Sequence, residues 1–170
     1  MLSEKPKFSV KYFLEVKKEQ SESVLILVGE GEDKIALKEK AKQLGIEKDV
    51  IFYGTTNYVE RIYWTMDVFA FPSRFEGLGI AVVEAQAVGL PVVCSEHIPP
   101  EARITDLVHS VPLDAGAKKW SETLLQVALE GRRDVIPQIK SAGFDLTEMT
   151  DTITCKYKGV VKDGTNIPGV

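Results

Sequence analysis

Apolar and polar residues follow two periods along this chain, and the two kinds of block take turns. Residues 8 to 20, FSVKYFLEVKKEQ, carry apolar positions at 10, 13, 14 and 16 with charges between, the spacing of a helix packed on a sheet. Val24 to Val28 is a short apolar run, a strand ended by Gly29-Glu30-Gly31, and Asp33 to Leu44 returns to helical spacing with Gly45 as its stop. Asp49 to Tyr53 predicts the next strand, and Asn57 stands where it could cap a short helix through Trp64. Asp67 to Pro72, apolar and aromatic, predicts a buried strand; Ile80 to Val88 predicts a helix, stopped by Gly89 and Pro91; Val92-Val93-Cys94 resumes as a buried strand. His109 to Leu113 gives a last short strand. Ala115 to Leu129 gives a helix with Trp120, Leu124, Leu125, Val127 and Ala128 inward, and Arg133 to Ala142 another. Phe144, Leu146, Met149, Ile153, Tyr157 and Val160 extend the pattern to a final helix over residues 145–158. Strands separated by helices at these intervals predict an α/β fold: a doubly wound parallel, Rossmann-like sheet in a single domain over residues 1–158. The closing KDGTNIPGV, with turn residues and no period, predicts a loose tail over residues 159–170.

The densest chemistry lies in residues 67 to 95, DVFAFPSRFEGLGIAVVEAQAVGLPVVCS, which read as strand, glycine loop, helix, strand. Glu76-Gly77-Leu78-Gly79 precedes the helix. Glycines there permit backbone angles closed to other residues and let a ligand approach the main chain. The helix has Glu84 as its only charged residue among apolar neighbours, so it should be largely buried, and a carboxylate in such surroundings needs donors from protein or ligand hydroxyls. Glu76 and Glu84 would sit about 80° apart on an ideal helix, so they are not a same-face pair. Glu76 belongs instead to the loop and Glu84 to the helix body, with the free amides of residues 77 to 80 beside an opening at the strand's carboxyl end. Such amides favour phosphate, and open α/β sheets bind ligands at that edge.

Composition narrows the classes. With 170 residues, 44% hydrophobic and 27% charged, the chain suffices for one good core and not for two. A net charge of −4 with interspersed basic residues argues against a nucleic-acid surface. No apolar run approaches the roughly 18 residues of a membrane span, and MLSEKPKFSV lacks a signal-peptide core, so a cytoplasmic location, with access to the inner face of the membrane, is expected. Cys94 and Cys155 read as thiols, and His97 and His109 are too isolated to imply a metal.

Ser73, Glu76-Gly77-Leu78-Gly79, Glu84-Ala85 and Gly89-Leu90-Pro91-Val92-Val93 together resemble the signature of group 1 glycosyltransferases (family 4), retaining enzymes with two Rossmann-like domains in the GT-B architecture. The resemblance covers about residues 8 to 150 and falls within the second, donor-binding half. It implies a sugar transferred from a nucleotide-diphosphate carrier to a glycan or lipid-linked hydroxyl, as in cell-surface polysaccharide synthesis. The nucleotide sugar is then a substrate, with no further cofactor and no metal. It also implies roles: Glu84 on ribose hydroxyls, Glu76 facing the transferred sugar, and the amides of Gly77, Leu78, Gly79 and Ile80 on phosphate and sugar oxygens. LVGEGE at 27–32 and VIFYG at 50–54 resemble the lining of the nucleotide pocket, and Ile98-Pro99-Pro100-Glu101 resembles the family's turn.

The family also places a strand, then an arginine and a lysine, just ahead of the region where this chain starts. Lys5, Lys7 and Lys11 stand near that place, but neither the strand nor the arginine is recognisable. In the order 3-2-1-4-5-6 that first strand is central. Residues 6 to 11 could replace it, the remaining strands could close up, or another chain could supply it. A rival reading follows: a nucleotide-binding or interaction module without turnover of its own.

Overall fold

A computed structural model describes residues 5–144, with side chains from Val10 onward. The expected final helix and tail, and Cys155 with them, lie outside the described residues. The chain runs α1 (Lys5–Glu19), β1 (Leu25–Val28), α2 (Lys34–Gln43), β2 (Val50–Gly54), α3 (Val59–Tyr63), β3 (Phe69–Phe71), α4 (Ile80–Ala87), β4 (Val92–Ser95), β5 (Val108–Val111), α5 (Gly116–Ala128) and α6 (Ile136–Ser141). Every pairing is parallel, as the alternation of elements predicts.

The strands form two groups and not one sheet: β1 pairs with β2, and β3-β4-β5 pair in that order. Among the described residues β1 and β3 do not pair, so the remaining strands have not closed up. Residues 6 to 11 lie within helix α1, so they do not replace the absent strand either. The consequence shows in burial. β4, flanked on both sides, is buried throughout, whereas Phe69, Ala70 and Phe71 of β3 are only half-buried, short of the fully buried strand expected.

Alternation along β4 sends successive side chains to opposite faces. Val93 joins a core with Phe13, Val16, Leu37 and Trp120, beneath α1, α2 and α5. Val92 and Cys94 join a second core with Tyr63, Val82 and Ala85 beneath α3 and α4. Helices thus cover both faces. Tyr12 of α1 stacks on Trp120 of α5 with ring centroids 4.8 Å apart, and the indole N–H donates to Pro112 O at 2.9 Å, so a fully buried Trp120 keeps its polar group paired.

Helix α4 departs from expectation. It is not buried all round: Val82, Val83, Ala85 and Gln86 face inward, while Ile80 is 62% exposed and Glu84 is exposed. Ala81 and Glu84 of this helix line a groove. The inward polar residue is Gln86, fully buried and satisfied on both ends of its amide: Nε2 donates to Val82 O (2.9 Å) and Ala102 O (2.6 Å), and Oε1 accepts from the N–H groups of Ile104 (3.0 Å) and Thr105 (2.9 Å). One side chain thereby ties α4 to the segment after β4.

Gly89 ends α4 with φ +71°, and a Cβ there would run into the backbone of Arg133, whose N–H donates to Gly89 O at 3.2 Å. Next to it Arg132 holds the ends of two helices, donating to Val88 O (3.0 Å), Met66 O (2.8 Å) and Tyr63 O. Asn57 does not cap α3: Tyr58 occupies the cap position, and its N–H donates to Thr56 Oγ1 at 3.0 Å.

Candidate functional site

At the carboxyl ends of β1 and β3 a groove opens, continuous with a cavity of about 1180 Å³ that reaches down between those strands. One rim is the loop after β1, from Gly29 to Lys34. The opposite rim carries Ser73, Ala81 and Glu84. Gly29 takes φ +120°, which suits glycine, and the rim is tied by Lys34 Nζ to Glu30 Oε1 at 2.7 Å.

Glu84 is positioned from α3. The Tyr63 hydroxyl lies 3.2 Å from Glu84 Oε2 and 3.3 Å from Ala81 O, and the ring of Tyr63 packs edge-on against Phe69 with centroids 5.4 Å apart. Burial first, then the charge of Glu84, pushes the Tyr63 hydroxyl far above the ordinary phenol range, so it remains a donor to the carboxylate. The carboxylate itself is exposed and so available to a ligand. Among the described residues its partner is a hydroxyl, not a basic side chain.

Glu76 is held through two serines. Ser73, 2% exposed, donates from Oγ to Glu76 Oε1 at 2.6 Å, with Phe75 O as a second acceptor at 3.2 Å. Buried Ser95, the last residue of β4, donates to the carbonyl of Ser73. A hydrogen-bonded line therefore runs from the end of one strand to the carboxylate beyond the next.

Between the carboxylates, only Gly79 of the two loop glycines uses a conformation that favours glycine, with φ +80° at the position that starts α4. Gly77 does not have a positive φ, a correction to the expectation for both. No side chain caps α4, and the Val82 N–H is already taken by Gly79 O at 2.8 Å. Of the residues singled out in the sequence, Glu84 lines the groove, as do Ser73 and Ala81, whereas Glu76, Gly77, Leu78, Gly79 and Ile80 do not. Tyr63 and Ser95 escaped the sequence reading, because a tyrosine ending one helix and a serine ending a strand carry no signal until the fold sets them beside Glu84 and Ser73. No group of His, Cys, Asp and Glu among the described residues could hold a metal ion. No described helix is long and apolar enough to cross a membrane.

Parallel strands with helices on both faces and a carboxylate-edged groove at the strands' carboxyl ends make a Rossmann-like α/β arrangement. Residues 4–134 match the model of the family described as glycosyl transferases group 1, and the chain belongs to that family. It is 33% identical over 137 residues to EpsF of Bacillus subtilis (strain 168), which bears a glycosyltransferase name; the match covers 78% of this chain and 36% of EpsF. It is 36% identical over 75 residues to the UDP-Gal:alpha-D-GlcNAc-diphosphoundecaprenol alpha-1,3-galactosyltransferase of Escherichia coli, covering 44% of this chain and 19% of that protein. The chain thus spans about a third or less of these relatives. Among solved structures it resembles the C-terminal domain of LpcC, a glycosyl transferase group 1 family protein from Francisella tularensis (TM-score 0.67, 18% identity, 82% of this chain and 79% of that one). It also resembles Anabaena HepE in complex with UDP-glucose (TM-score 0.67, 18% identity, 94% and 47%). These likenesses are of fold, that of one domain of a GT-B glycosyltransferase.

Proposed function

We propose that this chain is the donor-binding half of a retaining glycosyltransferase that moves a sugar from a nucleotide-diphosphate carrier to a glycan or lipid-linked hydroxyl in polysaccharide synthesis. The observation that carries the reading is Glu84: an exposed carboxylate on a groove wall, fixed by Tyr63 and facing the glycine loop after β1. A pair of vicinal ribose hydroxyls would donate to it, and charge-assisted hydrogen bonds of that kind are strong. Glu76, held by Ser73, would face the transferred sugar. The uncapped start of α4 would lend partial positive charge to the leaving phosphate. The name of the Escherichia coli relative and the UDP-glucose in the HepE structure support a nucleotide sugar as the donor.

A second reading, a nucleotide-binding module without turnover, is favoured for the isolated chain by the sheet divided between β1 and β3 and by the small share of the relatives that it spans. Incubation with a radiolabelled nucleotide sugar separates the two. Slow release of free sugar, lost in Glu76→Gln, supports an enzyme. Saturable binding without release supports the module, and absence of both overturns the donor-site reading.

A further inference from the structure

We propose that Phe75 is a stacking platform for one pyranose ring of the acceptor glycan, set beside the carboxylate of Glu76. Phe75 is 84% exposed, more than any other aromatic residue described. It stands in the loop between β3 and α4, and its backbone is anchored. The buried Ser73 hydroxyl has the Phe75 carbonyl at 3.2 Å and Glu76 Oε1 at 2.6 Å as its two acceptors. Ser73 is held in turn at its own carbonyl by Ser95, at the end of β4. The serine that positions the carboxylate therefore also fixes the main chain that carries the ring, while the ring itself is turned out to solvent. Single apolar side chains on a surface are ordinary, and the fold gains little from a phenyl ring so placed. What sets this one apart is that it adjoins Glu76 and shares its anchor.

The ligand follows from the chemistry of the ring. One face of a pyranose is a patch of C–H bonds with hydroxyls at its rim. Those hydrogens carry partial positive charge and meet the negative π-face of an aromatic ring, while the hydroxyls remain in water. A contact of this kind covers one side of the sugar and suits a ring that stands in solvent. A nucleobase would stack as well, but Phe75 does not line the groove that carries Glu84, the place proposed for the nucleotide. Adjacent Cα atoms lie about 3.8 Å apart, so a sugar on Phe75 is within one ring's breadth of whatever Glu76 faces. The inference rests on the donor-site reading in one respect: with Glu76 on the transferred sugar, the ring beside it on the solvent side is the one that receives that sugar.

The test is saturation-transfer NMR on this chain without nucleotide, deuterated except at its phenylalanine rings. The probes are the methyl glycosides of glucose, galactose, mannose and N-acetylglucosamine, with sorbitol, which has hydroxyls and no ring face, as the control. The platform predicts transfer to the C–H protons of at least one glycoside and none to sorbitol. Phe75→Ala should lower that transfer about fivefold, the scale of one aromatic contact. Phe75→Leu, which keeps apolar bulk and loses the π-face, should lower it about as far, whereas Phe75→Tyr should retain it; should Phe75→Ala not fold, Phe75→Leu decides. Adding UDP, GDP or ADP should leave the transfer in place. Transfer to no glycoside, equal transfer to sorbitol, transfer unchanged in Phe75→Ala, or its loss on adding a nucleotide overturns the proposal. The outcome is separate from that of the donor site. Flat nucleotide shifts with the ring contact intact remove the donor reading and leave the sugar platform, whereas nucleotide shifts at Gly29 and Glu84 with no ring contact remove the platform alone.

Discussion

The Tyr63 hydroxyl stands 3.2 Å from Glu84 Oε2, joining α3 to the one charged side chain of α4 across 21 residues of sequence. If this contact orients the carboxylate for a ligand, Tyr63→Phe, which keeps the edge contact with Phe69, should weaken nucleotide affinity about threefold. A hydrogen bond to an exposed charge contributes about 1 kcal/mol or less after solvent screening. Glu84→Gln should cost more, about tenfold, because the charge itself is lost. Calorimetric titration of the two variants checks both, and equal affinity in all three proteins would remove Glu84 from the site.

Ser73→Ala takes away the buried donor at 2.6 Å from Glu76. In an enzyme completed by the rest of its chain, turnover should fall about tenfold while the Michaelis constant for the donor changes little, since the role proposed for Glu76 is on the reacting sugar and not on the nucleotide. Steady-state kinetics at saturating acceptor reads this directly.

Gly89→Ala should destabilise the fold by about 3 kcal/mol or more. It forces a side chain onto a φ of +71° and drives the Cβ into the Arg133 carbonyl, so neither the turn nor the loop after α5 can relax independently. Urea unfolding followed by tryptophan fluorescence measures the loss.

Gln86→Leu keeps the volume of a fully buried side chain but strands the amides of Ile104 and Thr105 and the carbonyl of Ala102. The expected cost is about 2–4 kcal/mol. The segment after β4 should loosen first, seen as faster amide exchange at Ile104 and Thr105 than in the parent.

Much of the fold was readable because each strand is a short apolar run bounded by Gly, Pro or Asp, and the helices between keep a single period; the glycine loop and both glutamates stood out for the same reason. What stayed hidden depends on contacts between distant segments. The open side of α4 was invisible because Ile80, Ala81 and the inward valines are equally apolar; which of them meets solvent depends on the elements that pack against the helix. Gln86 reads as a surface polar residue until its four backbone partners are in place. The divided sheet was posed by the sequence as a question with three answers; residues 6–11 are helical, and among the described residues β1 and β3 do not pair with each other, which speaks against two of them.

Cys94 is fully buried, and burial pushes its thiol from an ordinary value of 9.0 up to about 11, with Arg103 opposing. The folded state holds this proton more tightly than the unfolded one, so the contribution is complete below pH 9 and is lost as pH rises through about 11. Two units correspond to about 2–3 kcal/mol. Cys94→Val should therefore flatten the decline in stability between pH 9 and 11, and urea midpoints at the two ends of that window test the sign.

The central claim, a donor nucleotide at the carboxyl ends of β1 and β3, is met most directly by titrating UDP, GDP and ADP into the chain and following its backbone amides. The account predicts saturable shifts at Gly29, Gly77, Gly79 and Glu84 with one base preferred. A folded chain whose shifts stay flat for all three nucleotides, or move only at residues remote from that groove, would contradict it.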